Sequence, residues 1–590
     1  MESHIQRSSE IDTAKATTDV VVVGSGAAGL VSGVTARLMG LDVILIEKDA
    51  LLGGTTAISG GGLWIPCSPP AARLRIADSL DAARMYLQKL IGSRFDPKRI
   101  DAFLRSGPEM VAFLESQHVM SFDVAANRPD YYPHVAGATV GGRTIFPTPF
   151  DGRKLGASIA RLRPPATETT FLGMMMRPAS DLHHFLNVFR STRSTLFVFE
   201  RILRLARDIA FYGRSMELAG GNALVAHLYR AALDAGVEIR ASTPAKNLLT
   251  NNSGVCGVRC QSRNGFTEIK ARRGVILAAG GFPHDILRRL DNYKHAPTGA
   301  EHLSPAPSAN TGDGIRMAES VGAYVPRLCD AAVWVPVSAV PVAGRTIGVF
   351  PHLIDRQKPG FIAVTQEGVR FVNESHSYHE FGRGLIAACR GKSEANCFLI
   401  ADHAAVRRYG MGFAKPWPVP LFPYLRSGYL IRGRTIRALA ERAGIDPVEM
   451  QRTVQEFNGP AREGRDPQFG RGSSAYNRYT GDQVHTPNPC IAPVERPPFY
   501  AVKMKMGELG TFAGVATDEH ARVVTRTGAP IPGLYAAGND MSHVMGGEYV
   551  AGGSSIGPAM TFGYIAAVHL ANSCSIDRTD NPICGKAEPD

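Results

Sequence analysis

A run of four valines, Val20–Val23, leads into Gly24-x-Gly26-x-x-Gly29 and on into a helix-forming segment (19–49, DVVVVGSGAAGLVSGVTARLMGLDVILIEKD). An unbroken valine run suits a parallel strand covered on both faces. The first glycine makes the tight turn, the second lets a pyrophosphate approach, and the third allows helix and strand to pack closely. The positive end of the helix then faces the phosphates. Glu47 closes a second strand eighteen residues after Gly29 and can accept hydrogen bonds from ribose hydroxyls. Ser25, Ala27 and Ala28 fill the turn and Lys48 follows the acid, so these residues join the expected dinucleotide contacts. The pattern demands an α/β fold with a Rossmann-type domain.

With 590 residues the chain can bury a large core and is expected to divide into two or more domains. Residues 220–250 read as helix then strand, 270–282 as a buried strand ending in glycines, and 529–544 repeats that strand-to-glycine form before a helix at 557–573. These pieces are far apart yet suit one α/β layer. The stretch 291–495 is richer in Pro, aromatics and short polar turns. The expected organisation is a discontinuous dinucleotide-binding domain over 18–290 and 496–575, with an inserted α+β substrate (capping) domain over 291–495. The tail from Ser575 reads as a disordered end.

The net charge of +12 raises nucleic acid as a partner, but the basic residues are spread out with no Lys/Arg block among aromatics, so no nucleic acid is expected. Nine scattered cysteines without a CxxC pair argue for reduced thiols in a cytoplasmic setting and against a structural zinc site; no metal is expected. Cys67 reads as a small core thiol. The first eighteen residues lack an apolar core, so no secretory signal is expected. Residues 183–214 mix Leu, Phe, Ile and Val with Arg and only two acids. Such a basic amphipathic helix can lie on an anionic membrane surface, giving peripheral contact at the inner face of the membrane. The same pattern fits a helix packed on the protein's own core with Arg on its wet face, which is the preferred reading.

Three segments separate FAD from NAD. The loop LLGGTTAISGGGLWIP (51–66) offers Gly54, Thr55, Thr56, Ser59, Gly60 and Gly61, small residues and donors that can wrap a pyrophosphate and a flavin ring. Ala279 and Gly280 end one strand, Gly538 and Asn539 end another, and Ser555 with Ile556 opens the last helix. This set resembles the FAD domain of the fumarate reductase/succinate dehydrogenase flavoprotein superfamily. Covalent members carry a His in the glycine loop; TTAISGGG has none, so the resemblance implies FAD held non-covalently.

The segment MGGEYVAGGSSIGPAMTFGYIAA (545–567) resembles the C-terminal motif of the 3-ketosteroid Δ1-dehydrogenases, with Val550 where that family usually has Pro. The resemblance implies that Tyr549 and Gly553 bind the substrate ketone. GVRFVNESHSYHEF (368–381) resembles the family stretch whose Tyr acts as base, here Tyr378. RPDYYPHVAGATVGGRTI (128–145) resembles the stretch whose Tyr supports that base, here Tyr131 or Tyr132. The implied partners are a small apolar ketone, a 3-ketosteroid, and an external electron acceptor.

The chemistry gives these residues reasons of their own. Desaturation beside a ketone removes a proton from the α carbon and a hydride from the β carbon, so enolate charge must be stabilised. A Tyr hydroxyl with a backbone N–H at Gly553 forms a suitable oxyanion hole. A phenolate at Tyr378 can serve as base where a neighbouring hydroxyl lowers its pKa. His376, His379 and His134 are less favoured bases. Fumarate chemistry needs cations to clamp a dicarboxylate, and no Arg or Lys occurs between Gly538 and Leu570, although His543 does. A Δ4-(5α)-dehydrogenase is disfavoured because Ala551 stands where that family has Ser. The same mechanism on a non-steroid cyclic ketone such as a 4-oxocyclohexane carboxylate stays open, as does a flavin-bearing binding or redox-sensing protein without turnover.

Overall fold

The valine run forms β1 (Ala16–Val23), in which Val20, Val21 and Val22 are fully buried. The glycine turn leads into α1 (Ala27–Leu38) and then β2 (Val43–Ile46). The computed structural model describes residues 16–573 except 172, 176–180, 189–190, 263–264 and 342–346. The tail from Ser575, read from sequence as disordered, lies outside the described residues.

Strand β1 pairs in parallel with β2 on one side and with Gly265–Leu277 on the other. Strand β2 continues in parallel to Glu238–Arg240, and Gly265–Leu277 continues to Pro530–Ala536. Five distant segments thus share one parallel core, as continuous apolar strands require when both faces are covered. Two further strands, Ala245–Asn251 and Gly254–Ser262, run antiparallel from the first half of Gly265–Leu277, and Arg522–Val524 pairs antiparallel with Pro530–Ala536. Helices Gly220–Ala235 and Ile556–Asn572 pack on α1. The second approach is close: Ser32 Oγ donates to the Gly563 carbonyl at 3.0 Å, and a Cβ on Gly563 would lie 2.6 Å from the Ala28 carbonyl oxygen.

A second, antiparallel sheet runs in the order Ile347–Pro351, Ala332–Pro341, Phe499–Thr511, Asn396–Asp402, Phe361–Val364, with Ile431–Gly433 also on Phe499–Thr511. Its central strand lies past residue 495. By sheet membership, the return to the parallel layer therefore comes after Thr511. Lys48 ties the two regions: its Nζ donates to Thr311 Oγ1 at 2.6 Å and pairs with Asp313 at 2.8 Å. A small sheet of Leu63–Trp64, Thr144–Pro147 and Phe122–Val124 carries the segment that contains Tyr131 and Tyr132.

Helix Thr192–Tyr212 keeps Arg193, Arg204 and Arg207 on the wet face, as the preferred reading of 183–214 has it, and departs from that reading at Arg201 and in its outward apolar side chains. Its inner face buries Arg201 and Asp208 beside Val198 and Leu205, with Arg201 paired to Asp181 at 3.2 Å. Leu196, Phe199, Leu203 and Phe211 point outward, Phe211 being 77% exposed. The apolar and charged faces are partly inverted because ion pairs satisfy the buried charges.

Candidate active site

One cavity of about 1040 Å³ takes in both ends of the site. Gly24, Ser25, Gly26, Ala27, Ala28, Glu47, Lys48, Gly54, Thr55, Thr56, Ser59, Gly60 and Gly61 line one end with Ala279, Gly280, Gly538, Asn539, Ser555 and Ile556. At Gly24 and Gly61 the neighbouring backbone leaves no room for a side chain. Gly24 has φ +108°, and a Cβ on it would lie 2.2 Å from the Ala278 carbonyl oxygen. Gly29 stands apart from the lining: a Cβ there would meet the Gly24 carbonyl oxygen at 1.9 Å, so this glycine serves helix–strand packing.

The polar groups of this end are already organised. The Glu47 carboxylate accepts from the Ser25 N–H at 2.9 Å and the Ser25 hydroxyl at 2.6 Å. Thr56 Oγ1 accepts from the Ala27 N–H at 3.1 Å, and Asn310 Nδ2 donates to Thr55 Oγ1 at 3.0 Å. Asp540 accepts from the N–H groups of Ala279 at 2.6 Å and Gly281 at 3.0 Å, pinning the glycine turn; burial pushes its pKa up to about 6. Asn310 lies outside every glycine motif, and Asp540, directly after Gly538 and Asn539, escaped the sequence reading because its partners lie on a segment 259 or more residues away. The narrow glycine cradle and the helix N-terminus suit the diphosphate of FAD, with Glu47 at the ribose.

At the other end four tyrosines converge: Tyr131, Tyr378, Tyr476 and Tyr549. Tyr378 opens helix Tyr378–Ala388, capped by Ser377 Oγ, which accepts from the Glu380 N–H at 3.2 Å. Its hydroxyl donates to Tyr549 Oη at 2.8 Å. Tyr549 belongs to a buried, largely apolar cluster with Val333, Val335 and Phe512. Gly553 has φ +100°, and a Cβ would sit 2.7 Å from the Trp64 nitrogen. Its carbonyl accepts from the Trp64 N–H at 3.0 Å, and its own N–H has no internal hydrogen bond among the described residues.

Tyr131 and Tyr132 point in different directions. Tyr131 lines the cavity, its ring centroid 6.0 Å from that of Tyr378 and 5.7 Å from that of Tyr549. Its N–H donates to the Val550 carbonyl at 3.1 Å, and its buried hydroxyl has no partner among the described residues. Tyr132 is not part of the lining; its hydroxyl donates to Glu380 at 2.7 Å. Beneath them, Asp130 and Arg143 form a buried pair at 2.8 Å, with Trp64 Nε1 donating to Asp130 at 2.9 Å. Tyr476, 4.6 Å from Tyr131 between ring centroids, lies outside every sequence motif and was missed.

The electrostatics correct one expectation. Burial, with Tyr131 and Tyr549 alongside, pushes the Tyr378 phenol well above its ordinary pKa. Tyr378 donates rather than accepts, and a bond of that polarity favours the protonated form. His376, His379 and His134 all lie off the cavity lining. His379 Nδ1 is occupied by the Trp334 N–H at 3.1 Å, and burial holds its pKa well below the ordinary value. Cys67 is half-buried, and burial with Asp78 pushes it to about 11.

A cation also reaches the site, against the sequence argument from the end motif. Arg128 lines the cavity, its Nη2 2.5 Å from where a Cβ of Gly552 would lie and its guanidinium carbon 5.8 Å from the Phe146 ring centroid. Burial opposes its charge, but Tyr131, Tyr476, Tyr479 and Tyr378 outweigh it and hold the pKa above the ordinary value. The gap in Arg and Lys between Gly538 and Leu570 says nothing about side chains arriving from elsewhere.

Comparison with known proteins adds the family context. Residues 19–556 match the family model described as an FAD binding domain. The chain is 39% identical over 566 residues to the 3-oxosteroid 1-dehydrogenase of Mycobacterium tuberculosis, covering 94% of this chain and 98% of that one. It is 38% identical over 558 residues to the 4-oxocyclohex-2-ene-1-carboxylate 5-dehydrogenase of Sinomonas cyclohexanicum, covering 94% of each. The crystal structure of 3-ketosteroid Δ1-dehydrogenase from Sterolibacterium denitrificans, in complex with 1,4-androstadiene-3,17-dione, superposes with a TM-score of 0.88 at 35% identity. The match covers 94% of this chain and all of that one.

Proposed function

This chain belongs to the FAD-binding flavoprotein family that contains the 3-oxosteroid 1-dehydrogenases, and from that premise we propose that it desaturates a ring carbon pair beside a ketone, with a 3-ketosteroid as substrate and C1–C2 as the bond. It is an FAD-dependent dehydrogenase acting on CH–CH donors. The observation that carries the reading is the contact of Tyr378 with Tyr549 beside Gly553, in an apolar wall continuous with a dinucleotide cradle. A Rossmann-type domain with an inserted capping domain provides that continuity, and FAD is held non-covalently.

Tyr549 Oη and the Gly553 N–H hold the ketone oxygen and stabilise the enolate charge. The substrate ketone replaces Tyr378 as partner of Tyr549, which frees the Tyr378 oxygen to take the α proton from the adjacent carbon. Tyr131, tethered to Val550, stands beside Tyr378, and once Tyr378 has lost its proton the Tyr131 hydroxyl turns to donate to the phenolate. When bound in the glycine cradle, FAD would supply the acceptor for the β hydride, with an external electron acceptor as the further partner. The apolar walls exclude water, so the developing charge is stabilised by fixed groups.

Anaerobic addition of a 3-keto-4-ene steroid is expected to bleach the oxidised flavin band. Bleaching by a small cyclic ketone but not by steroids sinks the steroid assignment and leaves the mechanism standing. The second reading, a carboxylated cyclohexanone or cyclohexenone, is favoured by Arg128, a charge that a steroid's hydrocarbon rings do not call for.

Among the described residues no helix is long and apolar enough to cross a membrane. Contact with an anionic membrane at its inner face is proposed through the outward Leu196, Phe199, Leu203 and Phe211 beside Arg204 and Arg207.

A further inference from the structure

We propose that Arg128 is a carboxylate-recognising residue of the substrate pocket, so that among non-steroid ring ketones this chain takes those that bear a carboxylate within one small ring of the ketone. The inference rests on the second, carboxylated ring-ketone reading above and deepens it.

Five cations line the cavity: Lys48, Arg128, Arg163, Lys358 and Arg408. Lys48 pairs with Asp313 at 2.8 Å, Arg163 with Asp49 at 2.6 Å and Arg408 with Asp482 at 2.7 Å. Lys358 donates to the carbonyls of Thr480 and Gly481, each at 2.8 Å. Arg128 alone has neither an ion pair nor a side-chain hydrogen bond among the described residues, and its Nε is buried without a partner. The guanidinium is half-buried in the cavity wall with no counter-ion among the described residues, and a bound anion would pair with its charge. Carboxylate is the matching chemistry, since guanidinium presents parallel N–H donors to two oxygens.

Position selects the source of that carboxylate. Arg128 rests on Gly552, next to Gly553, and is surrounded by Phe146 and phenols rather than by the glycine turn that suits the diphosphate. An anion bound there lies close to the ketone end. A 4-oxocyclohexene or 4-oxocyclohexane carboxylate places its two polar groups across one ring. A steroid acid carries its carboxylate several fused rings away.

The test uses FAD-loaded protein and three probes: 4-oxocyclohex-2-ene-1-carboxylate, its neutral methyl ester, and a 3-keto-4-ene steroid. Wild type should bleach at acid concentrations on the order of 10- to 100-fold below those needed for the ester, as charge-assisted hydrogen bonds imply. In Arg128→Gln that preference should collapse to within about threefold, while Arg128→Lys should keep part of it. Equal response of wild type to acid and ester overturns the inference, as does an undiminished preference in Arg128→Gln. Bleaching by steroid or ester without an acid preference sinks Arg128's role and keeps the ring-ketone reading. Calorimetry with cyclohexanecarboxylate, which has no ketone, reads the site without turnover. Binding to wild type but not to Arg128→Gln, with no bleaching by any ketone, fails the ring-ketone reading and keeps the carboxylate site. No binding and no acid preference removes the site.

Discussion

The hydroxyl of Tyr378 donates to that of Tyr549 at 2.8 Å, although 171 residues separate them in sequence. The proposed base and the proposed ketone anchor are thus mutual partners until a ketone parts them. Tyr378→Phe is expected to lower kcat by about 10²- to 10⁴-fold, the usual contribution of a positioned base, with flavin absorbance retained. Tyr549→Phe removes an oxyanion donor and should cost about 10²- to 10³-fold. Dye-coupled turnover read beside the flavin spectrum checks both; near wild-type kcat in Tyr378→Phe removes it as base.

Tyr131 and Tyr132 should separate cleanly. The Tyr131 hydroxyl has no hydrogen bond to lose, so Tyr131→Phe should lower kcat by at least about tenfold while leaving Tm nearly unchanged. Tyr132→Phe breaks a 2.7 Å bond to Glu380 and should cost roughly 1 kcal/mol of stability with a small effect on kcat. A reversed pattern in thermal melts and turnover assigns the supporting role to Tyr132.

Glycine substitutions at the two ends should fail differently. Gly24→Ala drives a Cβ to 2.2 Å from the Ala278 carbonyl oxygen and should empty the protein of FAD. Gly553→Ala forces φ +100° on a residue with a Cβ and displaces the ketone site, costing about 1–3 kcal/mol of strain and most of the turnover. Flavin content after gel filtration tells them apart: retained FAD in Gly24→Ala contradicts the cradle.

Burial raises the Tyr378 pKa, so its base form is scarce at neutral pH. Since the proton must leave before the phenolate can act, log(kcat/KM) should rise with pH at a slope of about one through the neutral and weakly alkaline range. The apparent pKa belongs to the coupled tyrosines as a set. A profile flat from pH 6 to 9 rules out rate-limiting dependence on a raised phenol.

Flotation with liposomes addresses the outward apolar face of Thr192–Tyr212. Wild type should float with anionic but not with neutral vesicles, and Phe199→Glu with Leu203→Glu should abolish flotation. Absence of lipid-dependent flotation in wild type leaves this helix without a membrane role.

Much of the dinucleotide end was legible because its determinants are local. Gly24, Gly26 and Gly29 meet constraints set by neighbours a few residues away, and Glu47 lies one strand along. Even there, Asp540 and Asn310 escaped notice, since they act on backbone from remote segments. The 183–214 helix misled for a related reason: periodicity predicts which face is apolar, but Asp181 and Glu217 decide that Arg201 can be buried.

The chain's own order of residues determined the α/β class, the glycine cradle and the tyrosines carried by motifs, because each depends on short-range backbone geometry. Only the tertiary structure decided that Tyr131 rather than Tyr132 faces the cavity, that Tyr476 joins it, and that Arg128 rests on Gly552. Those outcomes depend on where separate segments pack, and a side chain's electrostatic environment is set by distance through space, which sequence spacing does not measure.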